Sequence, residues 1–115
     1  SLYRVAAADH MQRAELLLTR FAAGPEPGEP LDEAFARWAE RLLVETRLLL
    51  DSPAGRDPEV RVLLRDLELV LARMARLHDG EAGEDRRELS EQLDRGSLLL
   101  RLRTTLPAAP APDGA

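Results

Sequence analysis

Histidine is the side chain best suited to chemistry near neutral pH, and this sequence has two, His10 and His78. His10 falls on the apolar stripe of a helical pattern, where an imidazole would act as a metal ligand or as a proton switch with a pKa of about 6.5. A metal site needs further ligands at set spacing, and no HxxxH pair occurs. We therefore predict a boundary histidine that hydrogen-bonds a backbone group or a carboxylate, and we assign no metal site.

Three acidic residues, Glu45, Asp66 and Glu68, are candidates for the paired carboxylates of acid–base catalysis. Arginines flank them at three- and four-residue spacing within the same helical patterns, as Arg41 precedes Glu45. This spacing favours ion pairs within one helix, each worth less than ~1 kcal/mol at a surface. We expect these carboxylates to lie on solvated helix faces.

The remaining candidates for catalysis are the serines Ser52, Ser90 and Ser97. None has the glycine pattern of a nucleophile elbow, and no glycine-rich phosphate loop occurs. Phe35 and Trp38 fall on an apolar stripe, which indicates packing rather than a ligand cage. The sequence thus predicts no catalytic residue, no cofactor and no enzymatic activity.

One segment near the end of the chain is a candidate interaction surface, formed by Leu98, Leu100, Arg101 and Arg103. Residues 95–106 carry arginines and no acid, which suits docking to an acidic partner or to an anionic membrane surface. The alternative is a helix whose final arginines complement its own dipole and need no partner.

The amino-acid composition limits the fold class and the kinds of binding site that the chain can form. The chain has 115 residues, 44% of them hydrophobic and 3% aromatic, and it contains no isoleucine, which predicts an all-α fold with an aliphatic core. Without cysteine it has no disulfide and no thiolate metal ligand. A net charge of −5 argues against nucleic-acid binding. No apolar run approaches the ~20 residues that span a bilayer.

Apolar periodicity places four helices over residues 2–23, 31 or 32 to 50, 58–78 and 85–95. Asp57-Pro58-Glu59 is a strong helix start, and Asp85 with Glu88 forms a capping-box pattern. Residues 24–30 and 79–83 are expected to be loops. Residues 97–106 fit both a short helix, which we favour, and a strand that pairs across a dimer.

Short connections between amphipathic helices predict an antiparallel four-helix bundle, with a short fifth helix after Gly96 as an option. We expect one domain over residues 1–106. The proline- and alanine-rich tail, residues 107–115, is expected to be disordered.

Two stretches carry a resemblance to a known family: RLLLDSPAGRDPEVRVLLRDLELVLARMARL (47–77) and DRGSLLLRLRTTLP (94–107). They resemble the C-terminal region of bacterial zinc-finger anti-sigma factors. The resemblance implies a protein whose cytoplasmic zinc-finger helices hold an extracytoplasmic-function sigma factor, followed by one membrane helix and an extracytoplasmic helical region. The chain departs from the complete pattern, since it has neither the His-xxx-Cys-xx-Cys motif nor a membrane span. We expect both to precede Ser1 in a longer protein.

The resemblance implies a non-enzymatic, extracytoplasmic regulatory domain that acts by a conformational or oligomeric change, with a protein partner or a second copy of itself. One alternative is a soluble cytoplasmic adaptor or dimerisation module, in which a surplus of leucines forms the interface: Leu64, Leu71, Leu98 and Leu100. A less favoured alternative is a periplasmic metal or ligand sensor that uses His10 and His78.

Overall fold

The computed structural model describes residues 2–24, 33–77 and 82–105, and for residues 82–85 it describes the helix but not the side chains. All regular structure in these ranges is helical: α1 (Leu2–Ala23), α2 (Glu33–Asp51), a 3-10 helix (Pro53–Arg56), α3 (Pro58–Ala75), α4 (Ala82–Gly96) and α5 (Leu98–Thr105). The predicted all-α class is confirmed.

The first three helices lie where the apolar periodicity predicts them. At the start of α3 the Asp57 side chain accepts a hydrogen bond from the Glu59 backbone N–H at 3.0 Å, with Pro58 at the first helical position. The predicted N-cap is therefore confirmed. The helix ends at Ala75, earlier than predicted, because Arg76 and Leu77 donate to carbonyls three residues back and tighten the last turn.

The sequence did not predict the 3-10 helix that joins α2 to α3. The Ser52 hydroxyl oxygen accepts a hydrogen bond from the Ala54 N–H at 3.2 Å and caps this helix. Gly55 lies so close to the end of α2 that a Cβ atom there would stand 2.2 Å from the Leu50 carbonyl oxygen. Only glycine fits this backbone approach, so the corner between α2 and α3 is closely packed.

The segment after Gly96 is helical, which makes the strand alternative for residues 97–106 wrong over its described part. Ser97 joins α4 to α5 with a positive φ of 50°, a conformation that is unusual for a residue other than glycine. Its carbonyl accepts the first hydrogen bond of α5, from the Arg101 N–H. Leu98 and Leu102 are buried and Leu100 between them is exposed, which fits the helical repeat rather than a strand alternation.

Helix α4 begins at Ala82, three residues before the predicted start at Asp85, so the capping-box prediction is wrong about where the helix begins. The end of the predicted 79–83 linker therefore belongs to α4. The rest of that linker, the loop over 25–30, and the tail over 107–115 lie outside the described residues.

The core is aliphatic and comes from all five α-helices. Helices α2 and α3 have the most extensive contact; α1 packs on α2 and α5, and α5 packs on α1 and α3. Among the fully buried side chains are Leu17, Leu63, Leu67, Met74 and Leu89. The short α5 contributes Leu98 and Leu102.

Helix α4 touches the other helices least. It contacts α3 and α5, and the Arg86 guanidinium lies over the ring of Phe21 in α1, 5.7 Å from its centroid. Burial lowers the pKa of Arg86 from its usual value. The described residues contain no helix with the length and apolar character needed to cross a bilayer.

Candidate functional site

The most distinctive polar feature of the described core is an imidazole buried between α1 and α2. His10 has only 1% of its surface exposed, and the only other polar residue buried to this degree among the described residues is Thr46. His10 lies on the same stripe of α1 as the buried Ala7, Met11 and Ala14. Helix periodicity therefore carries the ring into the core, where it must find hydrogen-bond partners.

The imidazole has a partner at each nitrogen. His10 Nε2 lies 2.7 Å from the Thr46 hydroxyl oxygen, and His10 Nδ1 lies 3.2 Å from Glu45 Oε2. The same Thr46 hydroxyl lies 2.7 Å from the carbonyl oxygen of Leu42, one turn earlier in α2. We call His10, Thr46, Glu45 and Arg13 the polar cluster.

Arg13 and Asp9 extend these contacts toward solvent. Arg13 Nη1 lies 3.2 Å from Glu45 Oε2, and Arg13 Nη2 lies 3.2 Å from Asp9 Oδ2. Glu45 thus receives contacts from two side chains of α1, one buried and one exposed. The polar cluster therefore joins α1 to α2 by side-chain contacts that extend from the core to the surface.

The environment of His10 opposes its protonation on balance. Burial lowers the pKa of His10 below its usual 6.5, while the hydrogen bond to Glu45 and its negative charge raise the pKa in part. Arg13 adds a smaller lowering effect on this pKa and Asp9 a smaller raising one. The neutral imidazole is therefore favoured near neutral pH.

The prediction that His10 contacts a backbone group or a carboxylate is confirmed, with Glu45 as the carboxylate, but its expected place at the boundary of the core is wrong, because the ring is fully buried. His78 lies outside the described residues, so the predicted alternative of two cooperating histidines stays a prediction. In the part of the chain that the structure describes, no three histidine or carboxylate side chains are grouped closely enough to hold a metal ion.

The three candidate carboxylates do not come together, and the predicted pairing within one helix is wrong for them. Each one pairs with a different helix: Glu45 with Arg13, Asp66 with Arg101 at 2.6 Å, and Glu68 with Arg47 at 3.2 Å. They fasten helices to one another instead of forming a catalytic pair. Sequence spacing finds neighbours on one helix but carries no information about the facing helix.

The predicted interaction surface is divided by the fold. Leu98 is buried and Leu100 is 59% exposed. Arg101 binds Asp66 of α3, while Arg103 Nε binds Glu15 Oε1 of α1 at 2.6 Å. Both arginines are therefore occupied in holding α5, and Leu100 alone of the four presents a free side chain to solvent.

Most of the leucines expected to form a surplus at an interface are buried in the chain itself. Leu64 and Leu71 are fully buried and Leu98 nearly so, so these side chains belong to the core. Helix α3 contacts α2, α4 and α5, and it therefore needs a wide apolar face.

The aromatic residues pack as predicted. Phe35 stacks on Phe21 with ring centroids 6.2 Å apart, and Trp38 meets Phe35 edge-on at the same distance. Beside them an open cleft of about 370 Å³ is lined partly by Arg20 and Arg41.

Among the serines, Ser52 donates to the Leu49 carbonyl at 2.7 Å and caps the 3-10 helix, a structural role.

Sequence reasoning missed Thr46, the partner that completes the polar cluster. Its position on the apolar stripe of α2 was the available signal, because a hydroxyl placed in a core needs a partner.

No protein-family model matches this chain, and comparisons with curated proteins and with solved structures give no significant match either.

Proposed function

We propose that this chain is a non-enzymatic regulatory domain that works by changing how its helices pack. The observation that carries the proposal is the attachment of α5. This helix has eight residues, and it is held by two buried leucines, Leu98 and Leu102, and by ion pairs from Arg101 and Arg103. An eight-residue helix has few hydrogen bonds of its own, and the ion pairs that hold α5 are partly exposed to water, so we expect it to open at a lower free energy than the longer helices.

The arrangement we propose is an antiparallel four-helix bundle of α1, α2, α3 and α5, with α4 as an arm beside it. Support comes from the order of contacts along the helices. In α1, His10 meets Glu45 while the later Phe21 meets the earlier Phe35, so α1 and α2 run in opposite directions. The 3-10 corner reverses the chain between α2 and α3, and α5 lies against both α1 and α3.

The specific regulatory role that we propose is that of the extracytoplasmic domain of a membrane-tethered anti-sigma factor. Support comes from the sequence resemblance of residues 47–77 and 94–107, which cover the end of α2, the corner, α3, the last residues of α4, and α5. A signal or partner that binds one position of α5 more tightly would shift the population of the two arrangements.

Two measurements test this proposal at separate levels. The reading frame that encodes the chain should contain a cysteine–histidine motif and an apolar segment of ~20 residues before Ser1. A frame without them would overturn the anti-sigma assignment. In hydrogen exchange on the purified chain, α5 amides should exchange faster than those of α2 and α3. Exchange of α5 only on global unfolding would overturn the packing mechanism itself.

A second candidate function is a dimerisation or adaptor module in the cytoplasm. The observation that favours it is a group of exposed aliphatic side chains on the outer faces of α2 and α3: Val44, Leu48, Val62 and Leu69. Light scattering over a wide concentration range tests it. A concentration-dependent rise in mass supports self-association, and a constant monomer mass removes it.

A further inference from the structure

The Thr46 hydroxyl has one hydrogen atom and two possible acceptors. Its oxygen lies 2.7 Å from His10 Nε2 and 2.7 Å from the Leu42 carbonyl oxygen. A hydroxyl can donate to only one of them at a time, while its lone pairs remain able to accept from the imidazole. The direction of the hydroxyl must therefore depend on whether Nε2 carries a proton.

The other ring nitrogen fixes the neutral tautomer. His10 Nδ1 faces Glu45 Oε2 at 3.2 Å, and an ionised carboxylate only accepts hydrogen bonds. In the neutral ring the proton must then be on Nδ1, so that it can donate to Glu45. Nε2 is left as an acceptor, and the Thr46 hydroxyl donates to it.

Protonation needs only a rotation of this hydroxyl. When Nε2 gains a proton from solvent, it donates to the Thr46 oxygen, and the hydroxyl hydrogen turns to the Leu42 carbonyl. Nδ1–H still donates to Glu45. Both ring nitrogens thus keep a partner in either state, and neither state leaves a buried N–H without an acceptor.

We propose that His10 is a buried proton-binding site in which the rotating Thr46 hydroxyl accommodates the bound proton without separating α1 from α2. The site is a property of these two helices and goes beyond the regulatory role proposed above. Because both ring nitrogens keep a partner, the contact between α1 and α2 should weaken gradually as the ring becomes charged, and it should not break.

The charged groups around the ring agree with this assignment. Glu45 of α2 faces Nδ1 directly, and Arg13 and Asp9 of α1 act on the ring from its own helix. Helix α5, which also packs on α1, brings Arg103, and that side chain is occupied by Glu15. Near the start of α1, the segment after the 3-10 helix places Asp57 in a cleft with Arg4.

Nitrogen NMR of the imidazole in the whole chain tests the site without any substitution, from about pH 4 to about pH 8. A His78→Gln variant identifies the His10 signals. We expect the neutral ring to carry its proton on Nδ1, and both nitrogens to be protonated at the acidic end while the contact between the ring and Thr46 persists. A neutral ring with its proton on Nε2 would overturn the proposal, as would loss of the Thr46 contact on protonation.

A matched pair of variants tests the role of the hydroxyl. Thr46→Ser keeps it, whereas Thr46→Val keeps the shape and removes it. Because the charged ring loses the acceptor for its Nε2–H, the Val variant should titrate at lower pH than both wild type and the Ser variant. Identical titration of the Val and Ser variants would contradict the proposal. If the Val variant does not fold, the tautomer in the unmodified chain decides.

The sign of the pH effect on stability provides a second readout. Since burial lowers the pKa of His10 in the folded chain, the unfolded chain binds more protons between that lowered pKa and about 6.5. The free energy of unfolding should therefore rise with pH through this window, and the contribution of His10 to it should be lost as the pH falls. In a His10→Gln variant this rise should flatten, and an unchanged rise would show that His10 is not the group that titrates.

Discussion

The α1–α2 contact and the attachment of α5 both use polar bridges between helices, but the two bridges differ in their exposure to water. His10 is 1% exposed, whereas the side chains of Arg101 and Asp66 are 34% and 43% exposed. At the buried end of the first contact, the His10 ring and the Thr46 hydroxyl must find protein partners, since water cannot replace one, whereas Glu45 and Arg13 at its outer end also reach solvent. In the second, water competes with each ion pair and salt screens it.

This difference separates what holds the domain together from what can move. Losing one partner in the buried contact leaves a polar group unpaired in the core, which is costly. Losing one ion pair at α5 returns both side chains to solvent at little cost. We infer that α1, α2 and α3 form the stable body, and that α5 is the element whose position a partner can alter.

The largest effect should come from shortening one leucine on each side of this comparison. Leu17→Ala in α1 should reduce the free energy of unfolding by about 2–5 kcal/mol, because it opens a cavity in the body. Leu102→Ala in α5 should cost less, because α5 can open and lose only its own contacts. Denaturant unfolding of both variants measures this, with hydrogen exchange to locate the change. Equal losses would place α5 in the cooperative body and remove the distinction.

An intermediate effect is expected from the buried hydroxyl. Thr46→Val should lower the free energy of unfolding by about 1–3 kcal/mol, because His10 Nε2 then lies in the core without a partner. Thr46→Ser is the control, since it keeps the hydroxyl and should lose less. Thermal or urea unfolding at neutral pH gives the comparison. A Val variant as stable as wild type would mean that the cluster contributes no more than the exposed pairs do.

The smallest effects belong to the ion pairs of α5. Arg101→Gln and Arg103→Gln should each reduce the free energy of unfolding by about 0.2–1 kcal/mol, and the loss should shrink as salt is added. Arg95→Gln is the matched control, because its 4.0 Å contact with Glu91 lies within the exposed face of α4 and joins no other helix. A salt-independent loss above that range at Arg101 would show that the bridge is shielded from water.

The helices of the body were predictable because their signals are local. The stripe of α1 and the Asp57-Pro58 start of α3 depend on residues a few positions apart, and both are confirmed. The 3-10 corner was not predictable, since it depends on how closely Gly55 approaches the backbone of Leu50. This approach is set by the tertiary structure, and the periodicity of the sequence does not indicate it.

The polar cluster was predictable only in part. The stripe of α1 placed His10 at the boundary of the core rather than inside it, and chemistry predicted a partner for the ring, but the identity of Glu45 and Thr46 follows from the register of α1 against α2. The same limit explains the errors at Asp66 and Glu68, whose partners lie on other helices. Leu64 was misassigned because a helix with several neighbours needs more apolar surface than one stripe provides.

The contact between Gly55 and Leu50 has a mechanical consequence for the α2–α3 pair. Because no side chain separates the Leu50 backbone from Gly55, we expect the end of α2 and the 3-10 helix to move together as one unit. We therefore expect a movement of α2 to be transmitted through this corner toward α3. A hinge would have to lie elsewhere, and among the described residues other than glycine the Ser97 joint between α4 and α5 is where the backbone has a positive φ.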